Sequence, residues 1–245
     1  MKWYQLIFKQ EQPIYLGKTK YGVLSQTRLY INGYTMCGAL TNIYAIKHNL
    51  KDIEKTKAIG KRLKTITCFF PAFKEKNDYT VLYPRYDQGS FLFQSEDKKE
   101  RIFEEEFRYR FVDSSTSTSI EAPVRTAKRE SLHITEFICP KDKITGKPLY
   151  WVGLLGLESD EGDIQIEDDF SEVFIGGDTR YGFGYLKLVK ALSGEAVQHA
   201  LNVWGLNDDG TMKRMKSNEP MTLMNYLHIK PEFNIRIKGQ YGLLY

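Results

Sequence analysis

This sequence predicts an α+β sandwich of the ferredoxin-like kind, and three features carry the prediction. Its apolar patterns follow the order strand, helix, strand, strand, helix, strand. A helical pattern begins directly after the turn Asn32-Gly33. The last strand pattern follows the stretch Ile175-Gly176-Gly177-Asp178-Thr179-Arg180-Tyr181-Gly182-Phe183-Gly184, which holds four glycines in nine positions.

Residues 3–9 are rich in aromatic and β-branched side chains and read as the first strand. Residues 10–26, with Pro13, Gly17 and Gly22, read as a loop that places Lys18 and Lys20 at a polar surface. Residues 27–31 read as a short strand ended by Asn32-Gly33. Apolar residues at 36, 39, 40, 43 and 46 have helical spacing, and Thr35 is the expected N-cap. Gly33 and Gly38 read first as a turn followed by close helix–sheet packing, with an anion-friendly helix start as the other account. Residues 47–64 continue as a basic helical or loop segment.

Residues 65–70 read as a strand stopped by Pro71. Residues 72–95 mix loop and strand, and 97–111 have helical composition with Ile102, Phe103, Phe107 and Phe111 on one face. The Ser/Thr-rich stretch 113–119 reads as a flexible loop. Residues 132–138 alternate as a strand, 141–148 form a hairpin-like turn around Gly146, and 149–157 form a buried strand. An acidic segment then leads into a short helix near 167–174 and the glycine-rich stretch. Beyond residue 190 come an apolar segment at 197–204, a polar turn at 207–210, a basic run at 213–216 and a strand pair near 223–229 and 233–238. The whole reads as one domain over 1–245, with a divergent insertion at about 72–130 and a C-terminal extension over about 190–245.

The composition, 42% hydrophobic and 27% charged, is that of a soluble globular protein. A formal net charge of +4 hides an uneven distribution. Residues 47–64 sum to +5, residues 158–172 to −8, and the remainder to +7. A phosphate-binding surface needs only such a basic body. Cys37, Cys68 and Cys139 are widely separated, have no metal-ligand spacing and leave an odd thiol, which points to a reducing cytoplasm. No apolar run is long enough to span a membrane, so the expected location is cytoplasmic.

Glycine permits φ > 0 and lets another backbone approach closely. Exposed amides in a glycine-rich loop hold anions, and Arg180 adds a planar fork suited to phosphate oxygens. The stretch has neither a GxGxxG-then-helix context nor a GK[ST] ending, which speaks against a nucleotide-dependent enzyme. An RNA backbone is the expected ligand of Gly176, Gly177, Arg180, Gly182 and Gly184; a hairpin that only turns the chain is the competing account. Asp178 would repel phosphate, and an Asx-type turn is the expected reason for it. Tyr181 and Tyr34 suit base stacking and suit core packing equally. Lys18, Lys20 and Arg28 around the first loop, and Arg125 and Lys128 beside the Ser/Thr stretch, are candidate phosphate contacts.

Three blocks of the sequence resemble one family. The first runs from Pro13-Ile-Tyr-Leu-Gly17 to Tyr30-Ile-Asn-Gly-Tyr-Thr-Met-Cys-Gly-Ala-Leu40. The second is Arg125-Thr-Ala127 with Ser131-Leu-His-Ile-Thr-Glu-Phe-Ile138, and the third is Gly176–Gly184. Together, over residues 13–188, they resemble the RAMP (repeat-associated mysterious protein) superfamily of CRISPR–Cas systems. The resemblance implies a modified ferredoxin-like fold related to RNA-recognition motifs, with a glycine-rich loop and an inserted thumb-like hairpin. It implies a guide (CRISPR) RNA partner, indirect contact with target RNA, and a place in a type III ribonucleoprotein effector. Neighbouring RAMP subunits and a large polymerase-like subunit are the implied protein partners. No cofactor, metal or membrane is implied.

The family offers several roles. Backbone subunits that cut target RNA carry an aspartate in the loop after the first strand, yet residues 1–51 contain no aspartate; the first is Asp52. Repeat-processing endoribonucleases use a histidine near the first helix, and His48 is the matching candidate here; a solvated histidine in a basic run is the alternative. His133, in the second block, suits RNA contact or packing. The capping subunit at the guide's 5′ tag needs no catalytic residue. The missing aspartate, the divergent middle and the tail fit that role best, with repeat processing or target cutting as the alternative.

Overall fold

The structure, a computed structural model, describes residues 1–76, 78–158, 164–213 and Met224. The first elements are β1 (Lys2–Gln10), β2 (Gly17–Tyr21), β3 (Leu24–Thr27), α1 (Gly33–Lys47) and α2 (Ile53–Arg62). Next come β4 (Phe70–Glu75), β5 (Asp78–Val81), β6 (Tyr83–Asp87), β7 (Ser90–Gln94), β8 (Arg101–Phe103) and α3 (Glu104–Phe111). A hairpin region holds β9 (Val112–Ser117), β10 (Ile120–Glu121), β11 (Thr126–Ala127) and β12 (His133–Ile138). Last are β13 (Tyr150–Leu157), α4 (Ile166–Asp169), β14 (Glu172–Phe174), β15 (Tyr185–Ser193) and α5 (Glu195–Val203).

A six-stranded sheet of order β14-β15-β1-β13-β4-β5 forms the centre. β1 runs antiparallel to both β13 and β15, and β13 antiparallel to β4. Counting β1, β4, β13 and β15 as strands one to four, the spatial order is 4-1-3-2. With α1 and α2 after the first strand and α4 after the third, this is the ferredoxin-like arrangement expected from the sequence.

Side chains of β1 alternate between two cores, as the strand period demands. Leu6 and Phe8 pack with Met36, Leu40 and Tyr44 of α1. Trp3 and Ile7 face the other way, to Val197, Leu201 and Trp204 at α5. β13 is buried at every position because both faces of the sheet are covered. At Gly153 an added Cβ would be driven into the ring of Phe69. α5 thus occupies the sheet face opposite α1.

The insertion builds on the α1-side core. β6, β7 and β8 form a three-stranded sheet. Phe93 of β7 packs on Phe107 and that on Phe111, the rings tilted and their centroids 4.9 Å apart at each step. β9 and β12 pair as an antiparallel hairpin from Val112↔Ile138 to His133↔Ser117, with β10 and β11 near its tip. β12 also pairs in parallel with β3, giving a second sheet of order β2-β3-β12-β9.

Several sequence expectations change. The 10–26 loop contains the β2–β3 hairpin, and 27–31 keeps only an isolated bridge, Ile31↔Phe69. Pro71 does not stop its strand: β4 runs through it, pairing Trp151↔Pro71, because a proline near a strand start interrupts one donor position only. The helix expected over 97–111 begins at Glu104, after β8. The Ser/Thr stretch forms β9, not a loop; pairing with β12 satisfies a backbone that its composition alone leaves open. Asn32, not Thr35, is the N-cap of α1, and its side chain makes no capping hydrogen bond. The 197–204 segment belongs to α5, while the strand pair near 223–229 and 233–238 lies outside the described residues apart from Met224. Among the described residues no helix is long and apolar enough to cross a membrane.

Candidate nucleic-acid interface

The three blocks that carry the family resemblance meet at one junction. Ile14 and Ile138 exchange backbone hydrogen bonds of 3.0 and 2.8 Å. The Gly177 amide donates to the Tyr15 carbonyl at 3.0 Å, and the Gly184 amide to the Pro13 carbonyl at 2.7 Å. The rings of Phe137 and Phe183 meet edge to face, 5.4 Å apart. Gln10, fully buried, ties the junction to the core: its Nε2 donates to the Ile138 carbonyl at 2.7 Å and its Oε1 accepts from Trp151 Nε1 at 3.0 Å.

This geometry explains most of the glycines. Gly176 and Gly184 have φ of +80° and +88°. A Cβ would overlap the Tyr15 carbonyl oxygen at the first and the Ile175 carbonyl oxygen at the second. At Gly177 a Cβ would lie 2.8 Å from the Tyr15 ring. Gly182, with φ +84°, has open space around it. The loop is therefore built to lie flat on the Pro13–Leu16 segment, and only Gly182 has no such steric reason. Asp178 adopts φ +57° and makes no side-chain capping bond, which replaces the Asx-turn expectation: aspartate serves here because it tolerates the left-handed region. The amides of Asp178, Thr179 and Arg180 make no hydrogen bond among the described residues.

Between the loop and α1 lies a cavity of about 490 Å³, walled by Tyr15–Gly17, Arg28, Tyr30, the Asn32, Thr35, Gly38, Ala39 and Asn42 face of α1, and Phe174–Gly177. Positions 35, 38, 39 and 42 repeat at i, i+3, i+4, i+7 and so form one stripe of the helix. From Asn32 to Asn42 that stripe is about 15 Å long. Among the described residues no carboxylate lines the cavity. The Arg28 Nε donates to the Gly17 carbonyl at 3.1 Å, and its guanidinium also hydrogen-bonds the Tyr30 phenol. Burial pushes the Tyr30 phenol up more strongly than that guanidinium pulls it down, so Tyr30 stays a neutral donor.

Of the residues singled out from sequence, Gly176, Gly177 and Arg28 line this cavity. Lys18 and Lys20 stand exposed on β2, directly after Gly17. Tyr34 lies in the first turn of α1, and Arg180 and Tyr181 on a 3-10 turn, Thr179–Tyr181, within the loop. Tyr34 is 64% exposed and Tyr181 82%, which removes core packing as an account of either. Lys18, Lys20 and Arg180 have no carboxylate partner among the described residues.

Arg125 and Lys128 do not join the group. They sit near the tip of the β9–β12 hairpin, beyond His133, and that position is about 17 Å along the strand from Ile138 at the junction. His133 is exposed and hydrogen-bonded to Ser117 Oγ at 2.7 Å and the Ser131 carbonyl at 3.0 Å. His48 caps the far end of α1, about 24 Å from Asn32 by helix rise. Its Nε2 is 2.8 Å from Asp169 Oδ1 and its ring stacks on Tyr44 at 4.1 Å. Burial pushes the thiols of Cys37 and Cys139 up and that of Cys68 to about 11, so none is a reactive thiolate at neutral pH. Tyr15, Tyr30, Asn32, Thr35, Gly38 and Asn42 were not singled out as site residues. The helical stripe 35-38-39-42, small and polar beside an apolar one, was the available signal.

No protein-family model and no curated protein matches the sequence. Among solved structures, a chain of the Type III-B Cmr-beta complex bound to cognate target RNA is similar at a TM-score of 0.50 and 12% identity, covering 76% of this chain and 96% of that one. A chain of the same kind of complex, bound to cognate target RNA and AMPPnP, is similar at a TM-score of 0.50 and 16% identity. It is covered over 62% of its length, so the present chain spans less than two thirds of it. The likeness is one of fold: this chain is folded like chains of the Type III-B Cmr-beta complex.

Proposed function

We propose that this chain is a non-catalytic, guide-RNA-binding subunit of a type III CRISPR effector, placed at the 5′-tag end of the guide. The observation that carries the reading is the cavity itself. Among the described residues it has no carboxylate in its wall, contains Arg28, and is flanked by Lys18, Lys20 and Arg180, none of them paired with an acid. Such a basic, acid-free groove with exposed tyrosines at its rim suits single-stranded RNA, whose backbone needs cations and whose bases need flat partners. Chains of similar fold belong to complexes bound to cognate target RNA.

α5 and Trp204 pack on the sheet face that an RNA-recognition motif leaves open for bases. The RNA is therefore assigned to the loop and helix side, not to the sheet. Target cutting is disfavoured by the only carboxylate in residues 11–32, Glu11, which is held by Lys9 at 2.7 Å. Repeat processing is disfavoured by the position of His48 at the opposite end of α1.

Purification of the chain with its partner subunits, followed by sequencing of bound nucleic acid, is expected to yield a discrete guide RNA whose 5′ tag this chain protects from nuclease. A preparation with every partner and no RNA overturns the proposal. Repeat-RNA cleavage abolished by His48→Ala replaces it with the endoribonuclease reading.

A further inference from the structure

The ladder between β3 and β12 is short, pairing Ile134↔Leu24 and Thr135↔Ser25. Beyond it a side chain takes over the connection. The Thr27 amide donates to Glu136 Oε2 at 3.1 Å. The same oxygen accepts from Arg108 Nη1 of α3 at 3.1 Å, and Arg108 Nε donates to Glu104 Oε1 at 3.0 Å. The Glu136 and Arg108 side chains are 17% and 22% exposed, so the protein shields most of this pair from competing water.

Thr27, fully buried, passes the connection on. Its Oγ1 accepts from the Leu16 amide at 3.0 Å, and the amide of the next residue, Arg28, donates to the Leu16 carbonyl at 2.7 Å. Leu16, Gly17 and Arg28 line the cavity, whereas Glu136 does not. A hydrogen-bonded relay therefore runs from α3 through Glu136 and Thr27 to the backbone that carries Arg28. By charge alone, a carboxylate behind a cationic groove opposes a polyanion. Its presence there needs a reason of geometry.

We propose that Glu136 is a positioning residue for Arg28. By holding the Thr27 amide it fixes the Leu16–Thr27–Arg28 connection and so aims the Arg28 guanidinium, without itself touching the ligand. A guanidinium fork reaches its full strength on phosphate only in a fixed orientation. The hairpin strand β12 thus supports the cavity from behind. This inference rests on the RNA-binding reading above and adds a residue that acts on the site from outside its wall.

The test uses the full-length chain as wild type, Glu136→Ala, Glu136→Gln, Arg28→Ala and the double variant Glu136→Ala with Arg28→Ala. Thermal melting sets a temperature at which all are folded. Fluorescence anisotropy with a short, fluorescein-labelled, mixed-sequence single-stranded RNA then gives affinity over a salt series. Glu136→Ala is expected to weaken binding about tenfold and to flatten the slope of log K against log salt by about 0.7, the share of one phosphate contact. Glu136→Gln is expected to restore both, because a carboxamide oxygen can accept the same two hydrogen bonds. The double variant is expected to bind no more weakly than Arg28→Ala, since both changes act on one contact. Should Glu136→Ala fail to fold, Thr27→Val, which removes Oγ1 at nearly constant volume, is read in its place with the same expectations. Undiminished or tighter binding by Glu136→Ala is what loss of a negative charge alone gives; it overturns the proposal and leaves the RNA-binding reading standing. Additive losses in the double variant, or Glu136→Gln as weak as Glu136→Ala, also overturn it. A wild type that binds no RNA overturns both.

Discussion

Two glycines of the same loop are held for different reasons, and a methyl group distinguishes them. Gly184 has φ +88° and its Cβ would overlap the Ile175 carbonyl oxygen, whereas Gly182 has φ +84° in open space. Gly182→Ala incurs only the left-handed backbone term, about 1–2 kcal/mol. Gly184→Ala incurs that term and also forces apart two backbones joined by the Ile175–Gly184 and Gly184–Pro13 hydrogen bonds. Urea unfolding is expected to show Gly184→Ala losing roughly twice as much stability as Gly182→Ala, or more. Equal losses would mean that Gly184 does not lie as tightly against Ile175 as their hydrogen bond indicates. The loop's importance was legible in the sequence because glycine spacing is visible there. Its reason was not, because the groups it must avoid belong to Tyr15 and Ile175, and Tyr15 lies more than 160 residues away in the chain.

Elements were legible where one strong pattern ruled and illegible where a partner decided. β1, α1, β12 and β13 announce themselves by apolar period, and each was read correctly as to type. β9 has the composition of a linker and becomes a strand only because β12 supplies a ladder. α5 is the most consequential element that the sequence left unassigned. Val197, Ala200, Leu201 and Trp204 repeat with helical spacing and close the second core over Trp3, Ile7 and Phe70. Trp204 is 2% exposed, its ring edge-on to Tyr83 at 5.0 Å and stacked with Phe70 at 6.1 Å. Trp204→Ala is therefore expected to cost about 3–5 kcal/mol in denaturant unfolding. A loss below about 1 kcal/mol would mean that α5 is not part of the cooperative core, and would reopen the sheet face as a surface for RNA bases.

Over the whole molecule, charge decides where a polyanion settles. In the sequence all eight Asp and Glu of the acidic segment come before or within α4 or at the start of β14, and Lys47 of α1 already hydrogen-bonds the Asp168 carbonyl at 2.5 Å and Ser171 Oγ at 2.8 Å. Among the described residues, the cations left without acids near the cavity are Lys18, Lys20, Arg28 and Arg180. Each phosphate neutralised on a single strand contributes about −0.7 to the slope of log K against log salt. Four such contacts give a slope of about −3 for an RNA just long enough to cross the cavity. Arg125 and Lys128, set apart near the hairpin tip, add nothing for that short RNA. A longer RNA that reaches the tip gains up to two further contacts, and its slope steepens toward about −4. Anisotropy titrations over a salt series with short and long RNA are expected to show this difference, and Arg125→Ala with Lys128→Ala is expected to remove it while leaving the short-RNA slope unchanged. If the double variant flattens both slopes alike, the hairpin tip bends back to the cavity when RNA binds. If it flattens neither, the tip faces a protein neighbour in the assembly and the RNA path ends at the glycine loop.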